Sequence, residues 1–126
     1  MDKQPQQKHP RFLLVDFENV QKIDLSKIDG NIQIVVVIGA NQKKLSVDLV
    51  MKHQKLGSRL EWKPIEGSGK NAVDFVIAYQ MGKVFDKDPK AQCIVLSEDK
   101  GFDPLIKLLI KEGKNCQRIK SVAELK

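Results

Sequence analysis

The chain has 126 residues, of which 41% are hydrophobic and 30% charged. This composition is typical of one soluble globular domain with a sizeable core, and it excludes a largely disordered chain or a membrane protein, since no apolar run reaches about 18 residues. Lys and Arg outnumber Asp and Glu by 22 to 16, and the net charge of +6 favours an anionic partner such as nucleic acid. The first residues lack the apolar segment of a secretory signal, which predicts a cytoplasmic location.

Residues 1–10 are rich in Gln, Lys and Pro, so we expect a flexible N-terminal tail followed by a single domain over residues 11–126. Three apolar runs are typical of strands buried on both faces of a parallel sheet: RFLLVDF (11–17), IQIVVVIGA (32–40) and AQCIVLS (91–97). Two weaker strands, nearer the sheet edges, are predicted at LEWKPI (60–65) and CQRI (116–119).

Segments with helical spacing of apolar residues lie between these strands: QKKLSVDLVMKHQKLG (42–57), NAVDFVIAYQMGKVF (71–85) and PLIKLLIKEG (104–113). The first ends at Gly57, and the last begins with Pro104 and ends at Gly113, as helices commonly do. The alternation of strands and helices predicts a three-layer α/β/α sandwich around a mainly parallel sheet of about five strands.

Two sequence features do not support the sites that they suggest. Cys93 and Cys116 have no His or second Cys at metal-ligand spacing, so we interpret both as reduced core residues. The segment GSGKN resembles a phosphate-binding loop, but Pro64 and Asn71 occupy positions where that motif needs Gly and Ser or Thr. A nucleoside triphosphate-binding site of that type is therefore excluded.

Aspartates follow two of the predicted strands, at the sheet edge where open α/β sheets bind ligands. Asp16 ends the first strand, and Asp99 follows the run CIVLS by two residues. An ordinary role in a turn or a cap is the alternative for each. Asp103 directly precedes Pro104, which predicts that it caps the last helix, and a cap remains compatible with metal binding.

Asp74 projects toward the apolar side of its helix, between Met81 and Phe85. An ionised carboxylate there is costly unless a cation or strong donors compensate it. The alternative is that Asn71 caps the helix and Asp74 completes a capping-box arrangement in its first turn. The sequence leaves both interpretations open.

Together the four aspartates form a predicted carboxylate cluster with Asn19 and Ser97 as polar neighbours. Four like charges repel unless one or two divalent cations compensate them. Oxygen ligands without paired His or Cys favour Mg²⁺ or Mn²⁺ over zinc. Such a site beside a basic surface suits metal-assisted hydrolysis of phosphodiester bonds.

Four segments, LLVDFENV (13–20), VIGANQKK (37–44), GSGKNAVDFVIAYQMGKV (67–84) and VLSEDKGFDPLIKLL (95–109), resemble in order and spacing the signature segments of PIN-like nucleases, particularly the NYN branch. The resemblance covers residues 11–120 and implies a cation-dependent nuclease acting mostly on RNA, an endoribonuclease in this interpretation. It implies that Asp16, Asp74 and Asp99 bind the metal or position the attacking water and that Asp103 completes a second or water-mediated contact.

Substrate contacts are predicted for Asn19, Gln42, Lys70 and Ser97. Asn19 and Ser97 match polar residues of the family pattern. For Gln42 the alternative is a cap on the next helix, and for Lys70 it is an ordinary surface lysine. Glu18 is expected to face solvent, as is Glu98.

Two other functions remain alternatives. The first is a PIN-like module that binds RNA or protein without catalysis. The second is a haloacid-dehalogenase-like phosphatase, although Glu18 stands where that family has a second Asp and Asp74 has no role in it. The expected partner is RNA, with DNA as an alternative, no membrane, and a homodimer as a further option.

Overall fold

The computed structural model describes residues 9–18, 23–42, 44–67, 69 and 71–125. Most of the predicted N-terminal tail (residues 1–10) lies outside these ranges, and so do two of the predicted substrate contacts, Asn19 and Lys70. The predictions for these residues therefore stay predictions.

A single sheet of five strands forms the centre of the domain. Its strands are β1 (Arg11–Asp16), β2 (Ile32–Ile38), β3 (Leu60–Pro64), β4 (Gln92–Leu96) and β5 (Asn115–Ile119). Every neighbouring pair is parallel, and the order across the sheet is β3-β2-β1-β4-β5. The chain therefore reverses its direction of winding between β1 and β4, and the carboxyl ends of these two strands border the position where such sheets bind ligands.

Three α-helices connect the strands: α1 (Val47–Lys52), α2 (Ala72–Lys87) and α3 (Asp103–Lys111). Short 3-10 turns lie at Gln54–Arg59, Lys100–Phe102 and Val122–Glu124. None of the helices in the described ranges is both long and apolar enough to cross a membrane.

The sheet is covered on both faces, which confirms the predicted sandwich. On one face α2 and α3 pack against the strands through side chains that include Ile77, Met81 and Ile106. The opposite face is closed by α1, by the segment 23–28 and by the C-terminal turn, which contribute Leu25 among other residues. Because alternate side chains of a strand point to opposite faces, β1 supplies Leu14 to the first core and its neighbours in sequence to the second.

The helix predicted over residues 42–57 is shorter than expected. The Ser46 side chain accepts a hydrogen bond from the amide of Leu49 at 3.1 Å and fixes the start of α1. After only 6 residues the helix gives way to the 3-10 turn, within which Gly57 has a φ of 56°. The interruption lies at His53, which is buried: Nδ1 is bonded to the carbonyl of Leu49 (2.7 Å) and Nε2 accepts from the Leu25 amide (2.8 Å).

Cys93 and Cys116 are buried free thiols on neighbouring strands, opposite each other in the register of β4 and β5. Burial raises the pKa of Cys93 to about 12 and raises the pKa of Cys116 as well. These thiols therefore stay protonated and act as small apolar core residues, which confirms the interpretation from the sequence.

Candidate active site

Asp16 and Ser97 lie side by side at the carboxyl ends of β1 and β4. Because Val15 pairs with Leu96 in register, the next residue of each strand lies beside the other. The hydroxyl of Ser97 donates a hydrogen bond to Oδ2 of Asp16 at 2.8 Å, and both side chains are fully buried. Two apolar strands thus hold the Asp16 carboxylate rigidly at the carboxyl edge of the sheet.

The loop after β4 places Asp99 next to Ser97. The Asp99 amide donates to the Ser97 hydroxyl at 3.0 Å, while its own Oδ1 accepts from the Gly101 amide at 2.7 Å. Asp99 therefore caps the 3-10 turn that follows. A Cβ at Gly101 would lie 2.9 Å from Oδ1 of Asp99, so only glycine leaves this carboxylate undisturbed.

The first turn of α2 adds Asp74 to the group. Partial burial raises the pKa of the Asp74 carboxyl to about 6, and the negative charges of Asp99 and Asp16, together with a hydrogen bond to the Asp99 side chain, act in the same direction. Asn71 occupies the N-cap position with a φ of 69°, but its side chain makes no capping hydrogen bond. The capping-box alternative for Asp74 is therefore wrong, and its principal polar neighbours are other carboxylates.

Glu18 is a further acid near this group, although the sequence predicts only that it faces solvent. Its side chain is exposed, as expected, but its charge also contributes to the raised pKa of Asp74. The side chain lies over Gly39, directly after β2, where a Cβ would collide with Oε2 of Glu18. A glycine at the end of the strand next to β1 is the signal that could have indicated this contact. Glu98 is exposed, as predicted.

Asp103 lies in a different environment from the other three aspartates. Both of its carboxylate oxygens accept from Arg118 of β5, at 2.8 Å from Nε and 3.3 Å from Nη2. This hydrogen-bonded pair, more than any other influence, lowers the pKa of Asp103. The predicted helix cap is wrong, because Asp103 already has helical angles as the first residue of α3 and Phe102 holds the N-cap position. Asp103 is thus paired with Arg118, and its second or water-mediated metal contact stays a prediction.

Arg118 also holds the loop that carries the site. Its Nη1 donates to the carbonyl of Ser97 at 3.1 Å while the rest of the guanidinium binds Asp103. The side chain is only 12% exposed. One guanidinium therefore ties the end of β4 to the start of α3 on either side of Asp99.

The structure gives two of the predicted substrate contacts internal partners. Ser97 is buried with its hydroxyl bonded to Asp16 and to the Asp99 amide, which positions these two acids, and its substrate contact stays a prediction. The Gln42 amide donates to the carbonyl of Phe17 at 3.2 Å and accepts from the Gly39 amide at 3.3 Å, which joins the ends of β1 and β2. Its predicted role as a helix cap is wrong, since Ser46 caps α1.

The donor atoms at this edge suit a hard divalent cation. Asp16, Asp74 and Asp99 offer only carboxylate oxygens, and their mutual repulsion is what a divalent cation relieves. Within the described ranges, no group of three His, Cys, Asp or Glu side chains lies close enough to form a ready-made metal centre. Their carboxylate oxygens are nonetheless of the type that hard divalent cations prefer.

The parallel sheet, its strand order and the acidic edge together define a PIN-like α/β domain. A family model described as a PIN domain matches residues 10–119, which is most of the chain. The chain belongs to the PIN domain family, and its fold is of the nuclease type. Neither the curated proteins nor the solved structures contain a match to it.

Proposed function

We propose that the protein is a divalent-metal-dependent nuclease that hydrolyses RNA phosphodiester bonds internally. The observation that carries the proposal is the convergence of three carboxylates, from β1, the first turn of α2 and the loop after β4, at the reversal point of the sheet. Family membership supports the nuclease over the phosphatase alternative.

Mg²⁺ or Mn²⁺, held by Asp16, Asp74 and Asp99, would lower the pKa of an attacking water and offset negative charge on the phosphate. The protein's own contribution is position. The Ser97 hydroxyl holds the Asp16 carboxylate through a hydrogen bond, and the Gly101 amide holds the Asp99 carboxylate in the same way. Asp74 lies in the first turn of α2, beside the negative charges of Asp99 and Asp16.

Substrate binding depends on groups around this edge. The excess of 22 basic over 16 acidic residues supports a polyanionic substrate. Asn19 and Lys70 remain proposed contacts, and Gln42 lies beside the edge with its amide held by the ends of β1 and β2. Action on DNA, a homodimeric state and a cytoplasmic location remain predictions from the sequence.

A second function, binding of RNA without cleavage, has two observations in its favour. The described side chains do not form a three-ligand metal centre, and Asp16 is fully buried. The two functions differ in a single measurable property, turnover with metal.

A cleavage assay distinguishes them. Wild-type protein and the Asp99→Asn variant are incubated with a panel of single-stranded and structured RNAs in Mg²⁺, Mn²⁺ or EDTA. The nuclease proposal predicts cleavage by the wild type in metal, none in EDTA, and a loss of about 100-fold or more in the variant at unchanged melting temperature. Salt-sensitive RNA binding without cleavage in either metal would establish the second function instead.

A further inference from the structure

An aromatic row runs along the outer surface of α2. Phe75 and Tyr79 are 72% and 64% exposed, and they lie on one side of the helix because they are four residues apart. The ammonium Nζ of Lys83, four residues further on, lies 5.2 Å from the centre of the Tyr79 ring. Neighbouring rings left in water form the kind of apolar patch that marks a binding surface.

The aromatic row begins at the proposed catalytic edge. Phe75 directly follows Asp74, whose carboxyl lies within the field of Asp99 and Asp16. Each step of four residues advances about 6 Å along a helix, so the row leads away from the carboxylates toward the other end of the sheet. One end of a chain molecule lying on the row would therefore reach the first turn of α2, which carries Asp74.

The far end of the row opens into a groove that carries positive charge. Lys83 and Lys87 border this groove of about 420 Å³, together with Phe12 and Gln80. One acid, Asp88, also lines it, so the lysines outnumber the acids by two to one. An anionic chain is therefore favoured at this end.

We infer that the aromatic row of Phe75, Tyr79 and Lys83 binds single-stranded RNA. Unpaired bases stack on the two rings, and Lys83 contacts the phosphate backbone. The two rings offer faces for bases, and the ammonium group at the end of the row offers a partner for the phosphates of the same strand. The choice of RNA rests on the proposed function, and the row supplies the path by which that substrate reaches the carboxylates.

The experiment measures binding by the full chain in EDTA, where no cleavage occurs. A fluorescein-labelled single-stranded oligoribonucleotide of about 12 residues is titrated and its anisotropy recorded. Phe75→Ala and Tyr79→Ala should each weaken binding by about tenfold, whereas Tyr79→Phe should retain it. The matched control is Leu108→Ala, which removes a side chain that is 52% exposed on α3 and should leave the affinity unchanged.

Two results would overturn the inference. One is equal affinity of the wild type and Phe75→Ala for the labelled strand. Equal affinity of the wild type for the labelled strand and for its duplex, in which the bases are already stacked, would count in the same way. The other is a wild type that sediments as a dimer and becomes monomeric in Phe75→Ala with RNA binding intact, which would make the row a contact between copies. Because the assay needs neither metal nor turnover, failure of the nuclease proposal leaves its outcome unaffected. Cleavage by Phe75→Ala with wild-type KM would contradict the inference and leave the nuclease proposal standing.

Discussion

The hydroxyl of Ser97 donates a hydrogen bond to the carboxylate of Asp16, although the two residues are 81 positions apart in the sequence. The bond is possible because β1 and β4 are neighbours in the sheet. The backbone amide of Asp99 donates a hydrogen bond to the same hydroxyl, so one buried serine is hydrogen-bonded to two of the three converging acids. The geometry of the site is therefore a consequence of strand order.

The raised pKa of Asp74 predicts a stability that depends on pH. The carboxyl has a pKa of about 6 in the folded protein and 3.8 in the unfolded chain. The folded state therefore binds this proton more tightly, and the resulting stabilisation is present below about pH 4 and is lost as the pH rises through 6. In metal-free buffer, Asp74→Asn should raise the melting temperature near pH 8 by a few degrees, since solvent screening limits the effect to on the order of 1 kcal/mol.

Thermal melts of both proteins between about pH 4 and pH 8 check this prediction. The difference in melting temperature should shrink toward zero at the acid end. A variant less stable than the wild type at both pH values would show instead that the ionised carboxylate stabilises the start of α2.

Gly101 provides a test that moves one carboxylate without removing it. A methyl group there would lie against Oδ1 of Asp99, whose short side chain can rotate away at little cost in stability. We expect Gly101→Ala to lower cleavage by about 100-fold with a small change in melting temperature. Gly30→Ala is the control, because a Cβ at that position meets nothing within 4 Å. Equal activity of the two variants would mean that the position of Asp99 is unimportant.

The sequence predicts the fold well, because the strand signal is local. The runs ending in Asp16 and Leu96 are dense in branched apolar residues, and that pattern alone indicates a buried parallel strand. The interruption of the first helix could not be predicted in this way, since it depends on His53 bonding to Leu25, 28 positions away. Helical periodicity contains no information about such a partner.

The same limit explains what the sequence missed at the site. Asp16, Asp74 and Asp99 could be selected because strand ends and helix projection are readable from one segment at a time. The pairing of Asp103 with Arg118 depends on β5 lying beside β4, which the linear pattern does not specify. Spacing alone therefore placed Asp103 in the cluster, although its nearest charge is a guanidinium.

The pairing with Arg118 predicts different effects for two variants. Asp103→Asn should reduce Mn²⁺ affinity by only about tenfold, because its carboxylate is already paired with Arg118. Arg118→Gln should lower both the melting temperature and the cleavage rate, since the guanidinium also holds the carbonyl of Ser97. Calorimetric titration and thermal melts measure the two effects. Complete loss of Mn²⁺ binding in Asp103→Asn would restore Asp103 to the metal ligands.

His53 predicts a stability effect remote from the site. Its ring is 1% exposed, bonds to two backbone groups and contacts Trp62 edge-on at a centroid distance of 5.9 Å. His53→Ala leaves the Leu25 amide unsatisfied beside a cavity and should cost about 2 to 4 kcal/mol in the free energy of unfolding. Urea denaturation tests this, with the exposed neighbour Lys52→Ala as the control. Similar unfolding midpoints for both variants would contradict it.

Direct titration with Mn²⁺ near pH 7.5 tests the central claim, that acids from three separate elements hold one cation between them. The wild type should bind Mn²⁺ and gain melting temperature with increasing metal, whereas Asp16→Asn and Asp99→Asn should each lose both effects while remaining folded. Wild-type protein that binds no Mn²⁺, or variants that bind it as well as the wild type, would show that these acids do not hold a cation.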